Sequence, residues 1–161
     1  MLAKEAAEDL GFSVLHLYVD GLWVRKAGRS QVADFQPLLD EISRRTGLPI
    51  SLDGIYRWIA FLPSRVDNRV PVPNRYFVVF KDGSLKMRGI ETRRRDTPPF
   101  IAQTQLAVLQ RLARMPDAGR LGEALPAIVA FLRQQLAALR TGRVPLESLL
   151  IAQKLSRELH E

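Results

Sequence analysis

Arg75-Tyr76-Phe77-Val78-Val79-Phe80-Lys81, then Asp82-Gly83-Ser84, then Leu85-Lys86-Met87-Arg88-Gly89-Ile90-Glu91 is the stretch on which the fold turns. A run rich in β-branched and aromatic residues, an Asp-Gly turn and a return run of alternating faces predict an antiparallel hairpin. Alternation sets Tyr76, Val78 and Phe80 on one face of the outgoing arm, and Arg75, Phe77, Val79 and Lys81 on the other. In the return arm Lys86 and Arg88 project to the same side, two residues apart, as a pair suited to phosphate contact. Gly89 beside them permits close approach of a backbone.

Working outward, an N-terminal helix is expected over residues 2–10, ending at Gly11. A second hairpin follows: Phe12 to Val19, the pair Asp20-Gly21, and Leu22-Trp23-Val24. Residues 31–45 read as an amphipathic helix with Val32, Phe35, Leu38, Leu39 and Ile42 on one face. Residues 55–62 read as a strand, and 67–74 as a loop. After Arg93-Arg94-Arg95 the text becomes helical, with helices expected near 99–114, 122–140 and 145–160. Asp96 or Thr97 is the expected N-cap of the first, with Pro98 and Pro99 in its first turn. The fold class is therefore α+β: an antiparallel sheet with two helices over 1–97, then an all-helical portion over 98–161.

Composition narrows the function classes. The chain has 161 residues and no cysteine, which removes disulfides, thiolate metal sites and a cysteine nucleophile, and suits a reducing compartment. The longest apolar run, 124–132, is far shorter than the roughly 20 residues of a membrane span, so no membrane partner is expected. The first eight residues are mixed in charge and carry no secretory h-region, and a cytoplasmic location is expected. Between Arg65 and Arg95 nine Lys or Arg face three acids, so this segment carries +6 of the net +7. Such a concentration suits a polyanionic partner, and equally a solvated, arginine-rich surface loop.

No Gly-rich phosphate loop, no nucleophile–base–acid order and no histidine cluster is present. His16 falls in a strand and His160 near the C-terminus. Asp20 and Asp53 remain as candidates for chemistry, and Asp20 has a ready explanation in turn formation.

The order of these pieces resembles the C-terminal palm and proximal thumb of family B DNA polymerases. That family writes its metal-binding hairpin Tyr-Gly-Asp-Thr-Asp-Ser-(apolar)-Phe-Val, and Asp20-Gly21-Leu22-Trp23-Val24 resembles its second half. Leu52-Asp53-Gly54-Ile55-Tyr56-Arg57 resembles the strand beginning Leu-Glu-x-x-Tyr-Lys, and Asn74-Arg75-Tyr76 sits where the family has Lys-Lys-Arg-Tyr. Lys86-Met87-Arg88-Gly89-Ile90-Glu91 with Arg94-Arg95-Asp96 resembles the Arg-Gly-Leu-Glu…Arg-Arg-Asp element. Pro145-Leu146-Glu147-Ser148-Leu149 with Lys154-Leu155-Ser156-Arg157 resembles the thumb's Pro-Leu-Glu-Glu-Leu…Lys-x-Leu-Ser-Arg run.

The resemblance implies a palm-like portion, 1–97, and a thumb-like portion, 98–161. It also implies that primer–template duplex DNA is held by Arg75, Lys86, Arg88, Gly89, Arg94 and Arg95, with Tyr76 packed beneath. Asp20 is the implied catalytic and metal-binding carboxylate for Mg2+, in an assembled polymerase site only. Tyr18 and Val19 stand where the family has its first Asp and the Thr. The upstream palm aspartate, the fingers and a proofreading exonuclease are absent from the chain. A tyrosine phenol is a poor Mg2+ ligand at neutral pH. The isolated chain is thus expected to bind no cofactor and not to polymerise. It would serve replication or repair as part of a polymerase, completed by a second chain in a split enzyme, or else as a degenerate stand-alone DNA-binding module. A third reading is a structural subunit whose basic hairpin docks on an acidic protein.

Overall fold

The computed structural model describes residues 1–19 and 21–151. The chain forms two compact units, Met1–Ile55 and Tyr56–Glu161. The fold class is α+β with antiparallel sheets, as the alternation and turn signals predict.

The first unit contains α1 (Leu2–Asp9), β1 (Ser13–Tyr18), β2 (Gly21–Arg25), a 3-10 turn (Val32–Phe35) and α2 (Gln36–Thr46). β1 and β2 pair antiparallel with Tyr18 opposite Gly21, so Gly21 belongs to the strand and not to the turn. Val19 has φ +26°, a conformation that a β-branched residue seldom adopts. The core is Ala6, Ala7, Phe12, Phe35, Leu38 and Ile42, with Val14, Leu22 and Val24 of the hairpin packed against it. The expected 31–45 helix is split because Asp34 closes a capping box with Gln31, which tightens the first turn into 3-10 form. Phe35, Leu38 and Ile42 are buried as expected, whereas Val32 is exposed.

In the second unit β3 (Tyr56–Pro63), β4 (Pro71–Phe80) and β5 (Leu85–Arg88) form one antiparallel sheet with β4 in the centre. β4 begins at Pro71, inside the segment expected to be loop. Flanked on both edges, it buries Tyr76, Phe77, Val78 and Val79 in succession. α3 (Pro99–Ala113) lies against one face: Leu109 and Ala113 pack with Trp58, Phe77, Val79 and Ile90. Trp58 fixes the end of α3 by donating its indole N–H to the Met115 carbonyl at 3.0 Å, and Arg57 donates to the Ala113 carbonyl. The change of composition at 97–98 therefore falls inside this unit.

α3 is capped by neither Asp96 nor Thr97. Pro98 holds the N-cap position, and the helix begins at Pro99, where a missing N–H costs no hydrogen bond. Thr97 precedes a proline, which biases it away from helical angles, and its hydroxyl donates instead to the Glu91 carbonyl at 2.8 Å. A 3-10 segment (Ala118–Ala124) leads into α4 (Leu125–Arg140). Of the helix expected over 145–160 the described part, 145–151, holds a 3-10 turn, Leu146–Leu149, followed by an extended Leu150; the rest of that expectation lies outside the described residues.

Candidate nucleic-acid interface

The candidate interface is built on the β4–β5 hairpin. Asp82 sets the turn, its carboxylate accepting from the Ser84 amide at 2.8 Å and the Ser84 hydroxyl at 2.6 Å. That turn fixes the register: Val79 opposes Leu85, Val78 opposes Lys86, Phe77 opposes Met87 and Tyr76 opposes Arg88. Residues directly opposed on antiparallel strands share a face. Lys86 and Arg88 therefore stand on the Tyr76–Val78 face, and Phe77, Val79, Leu85 and Met87 face α3. Arg75, one residue from Tyr76, falls on the α3 side. Tyr76 is buried with its ring 5.5 Å from that of Phe61, and its backbone pairs with that of Arg88 across the hairpin.

On the α3 side the cations converge on one acid. The Arg75 guanidinium donates to the Gly89 carbonyl at 3.3 Å and to Glu91 Oε1 at 3.1 Å. Arg65, in the β3–β4 loop, reaches the same Oε1 at 3.5 Å. Glu91 Oε2 accepts from the Gln105 amide at 3.0 Å, and Gln105 in turn accepts from the Thr92 N–H at 2.7 Å. The Gln105 hydrogen bond, reinforced by the Arg75 and Arg65 charges, holds the Glu91 carboxyl below its ordinary pKa, so it is anionic at neutral pH. An open depression of about 340 Å³ is lined by Arg65, Val72, Arg75, Gly89, Glu91 and Arg94.

Gly89 has φ +62°, and a Cβ there would lie 2.1 Å from the Asn74 carbonyl oxygen. The backbone that approaches Gly89 is thus the chain's own, which suffices to require glycine. Arg94 is held by Asp96 through two bonds of 2.9 and 2.6 Å. Arg93 donates to the Met87 carbonyl at 3.1 Å. Arg88 and Arg95 are exposed and have no ion-pair partner among the described residues.

Of the residues singled out from sequence, Arg75, Gly89 and Arg94 meet at one depression, while Lys86 and Arg88 stand on the other side of the sheet. Arg65 entered the sequence reading only as one of nine bases and Glu91 only within the Arg-Gly-Leu-Glu resemblance, and Gln105 was not signalled. Their contacts span 26 residues for Arg65–Glu91 and 14 for Gln105–Glu91, which no local pattern reveals.

Asp20 lies outside the described residues. Among the described residues no group of three or more His, Asp or Glu side chains is placed to hold a metal ion. No helix among them is long and apolar enough to cross a membrane.

Comparison with known proteins bears on the same segment. A DNA polymerase of Archaeoglobus fulgidus is 24% identical over 97% of this chain and 18% of its own length. One from Pyrococcus glycovorans is 26% identical over 98% of this chain and 19% of its own, and one from Thermococcus kodakarensis 24% over the whole chain and 9% of its own. The chain thus spans less than a fifth of the length of these curated relatives. Residues 74–161, which begin at the central strand of the basic hairpin and include Arg75, Arg88, Glu91 and Arg94, match the model of DNA polymerase family B. More than half the sequence falls within that match, and the chain belongs to DNA polymerase family B.

Proposed function

We propose that this chain is the C-terminal palm and proximal thumb portion of a family B DNA-directed DNA polymerase, acting in replication or repair. In this reading 1–97 corresponds to the palm and 98–161 to the thumb. It grips primer–template duplex through the sugar–phosphate backbone. The observation that carries the reading is the uneven charge of the family-matched segment. Arg88 and Arg95 are exposed without described partners, and Arg65, Arg75 and Arg94 crowd a depression that holds one carboxylate. Cations placed this way neutralise phosphates and release counterions, which gives affinity without sequence preference. Lys86 and Arg88 serve one side of the hairpin and Arg75 and Arg94 the other, so the duplex is held across the hairpin edge near Gly89.

Catalysis requires groups from beyond this chain. Family B polymerases use Mg2+ for nucleotidyl transfer, and Asp20 is the one carboxylate of the first hairpin at the matching position. With Tyr18 and Val19 preceding it, a second chain or further sequence must supply the other ligands. A degenerate, purely DNA-binding role is the second reading, and Tyr18 is the observation that favours it.

Fluorescence anisotropy of a labelled primer–template across a salt series, with parallel primer-extension reactions containing Mg2+ and nucleotides, tests the proposal. The expected result is salt-steep, sequence-blind binding without extension. Absence of binding at low salt, or strong preference for one sequence, contradicts it.

A further inference from the structure

The Glu91 carboxylate occupies a position for which the surrounding cations have another natural occupant. Two guanidiniums from separate elements, Arg75 on β4 and Arg65 on the β3–β4 loop, converge on a single oxygen, Oε1, at 3.1 and 3.5 Å. Guanidinium N–H groups donate equally well to a phosphate oxygen, whose charge and geometry resemble those of the carboxylate. We propose that Arg65 and Arg75, with Arg94 at the rim, form a binding site for one backbone phosphate of a duplex. Glu91 is its resident counter-anion, which the phosphate displaces from Arg65. The inference rests on the duplex-binding reading and adds Arg65 and Glu91 to it.

The two arms of the site are unequal. Arg75 is 25% exposed and is anchored by the Gly89 carbonyl as well as by Glu91, so it stays in place. Arg65 is 84% exposed, and Glu91 is its one ion-pair partner among the described residues, at the longer distance. An exposed pair of this kind contributes little and is exchanged easily. Glu91 does not depend on Arg65 for its position. Gln105 holds its second oxygen, Thr92 holds Gln105, and the Thr97 hydroxyl holds the Glu91 carbonyl. When Arg65 turns to a phosphate, Glu91 therefore remains where it is, and its charge opposes the incoming anion. The open depression beside it supplies the space. Glu91 thereby lowers the affinity of the site while it keeps Arg75 aimed.

The test is duplex binding by the wild type, Arg65→Ala and Glu91→Gln, each measured across a salt series, with thermal unfolding as a control for the fold. Arg65→Ala should weaken binding about two- to fivefold at low salt and reduce the slope of log K against log salt by about one. Glu91→Gln keeps the size and the Gln105 contact, and should tighten binding by a similar factor. Wild-type binding that is unchanged by Arg65→Ala, or weakened by Glu91→Gln in a protein of unaltered melting temperature, overturns this inference and leaves the duplex reading standing. A wild type that binds no duplex at low salt overturns both. Arg65 is a loop-surface residue, so its replacement keeps the experiment decisive even where Glu91→Gln impairs folding.

Discussion

The two units of this chain handle charge in opposite ways. Met1–Ile55 contains six Lys or Arg and eight Asp or Glu, a net −2, whereas the remainder contains eighteen and nine, a net +9. In the first unit the cations are largely matched at home. Glu41 binds Arg44 at 2.7 Å and Arg45 at 2.6 Å, Arg45 also reaches Asp9 at 2.8 Å, and Arg29 pairs with Asp34 at 3.1 Å. In the second unit Arg69 pairs with Asp67, Arg94 with Asp96 and Arg120 with Glu123, and two arginines share Glu91, but Arg88 and Arg95 have no ion-pair partner among the described residues. With twice as many bases as acids, internal pairing cannot saturate there. One unit closes its electrostatics on itself, and the other presents an uncompensated positive field that favours a polyanion.

The units differ equally in how their strands are covered, and this gives the largest expected effect. β1 alternates exposed and half-buried positions, whereas β4 buries four residues in succession. Phe77→Ala, at a 4% exposed site against α3, should destabilise the second unit by about 3–5 kcal/mol. Leu15→Ala in β1, at 55% exposure, should cost less than about 0.5 kcal/mol. Urea unfolding of both variants checks this, and equal losses would break the contrast.

Gly89→Ala comes next. Its positive φ alone costs about 1–3 kcal/mol, and the clash with the Asn74 carbonyl adds to that. Gly28→Ala in the first unit has a similar φ, +72°, with nothing within 4 Å of the added methyl, and should lose only the conformational part. Thermal melts that rank Gly28→Ala as the more damaging would show that the Asn74 approach is not what fixes Gly89.

The smallest effect sharpens the charge comparison. Hydrogen bonds from Arg44 and then Arg45 lower the Glu41 pKa from 4.5 to about 2. A depressed carboxylate favours folding above its unfolded pKa, and that contribution fades as pH falls from about 4.5 towards 2. Glu41→Gln should therefore flatten the acid limb of α2 stability in that window, read by hydrogen exchange of the α2 amides. An unchanged acid limb would show that the pairing does not stabilise the helix.

How much of this was legible in the sequence depends on range. The basic hairpin was, because Asp82-Gly83-Ser84 makes its turn with its own side chains and alternation shows in five or more residues per arm. The first hairpin was legible too, although Gly21, expected in the turn, pairs with Tyr18 and belongs to the strand. The N-cap of α3 was misplaced because Thr97 and Asp96 each found a partner outside the helix, Glu91 and Arg94. The split of the basic residues between two sides was not readable, because it follows from the cross-strand register that places Arg88 opposite Tyr76. The Arg65–Glu91–Gln105 arrangement was hidden because its contacts span 26 and 14 residues, beyond the reach of any local pattern.

Under the proposed function, the positive charge of the second unit serves the backbone of a duplex, and that of the first does not. The most direct measurement is the slope of log K against log salt for a primer–template duplex, compared between Arg88→Ala and Arg44→Ala. Arg88→Ala is expected to lower the magnitude of the slope by about one, for every sequence tried, while Arg44→Ala matches the wild type. Equal slopes for the two variants, or a larger change for Arg44→Ala, would contradict it.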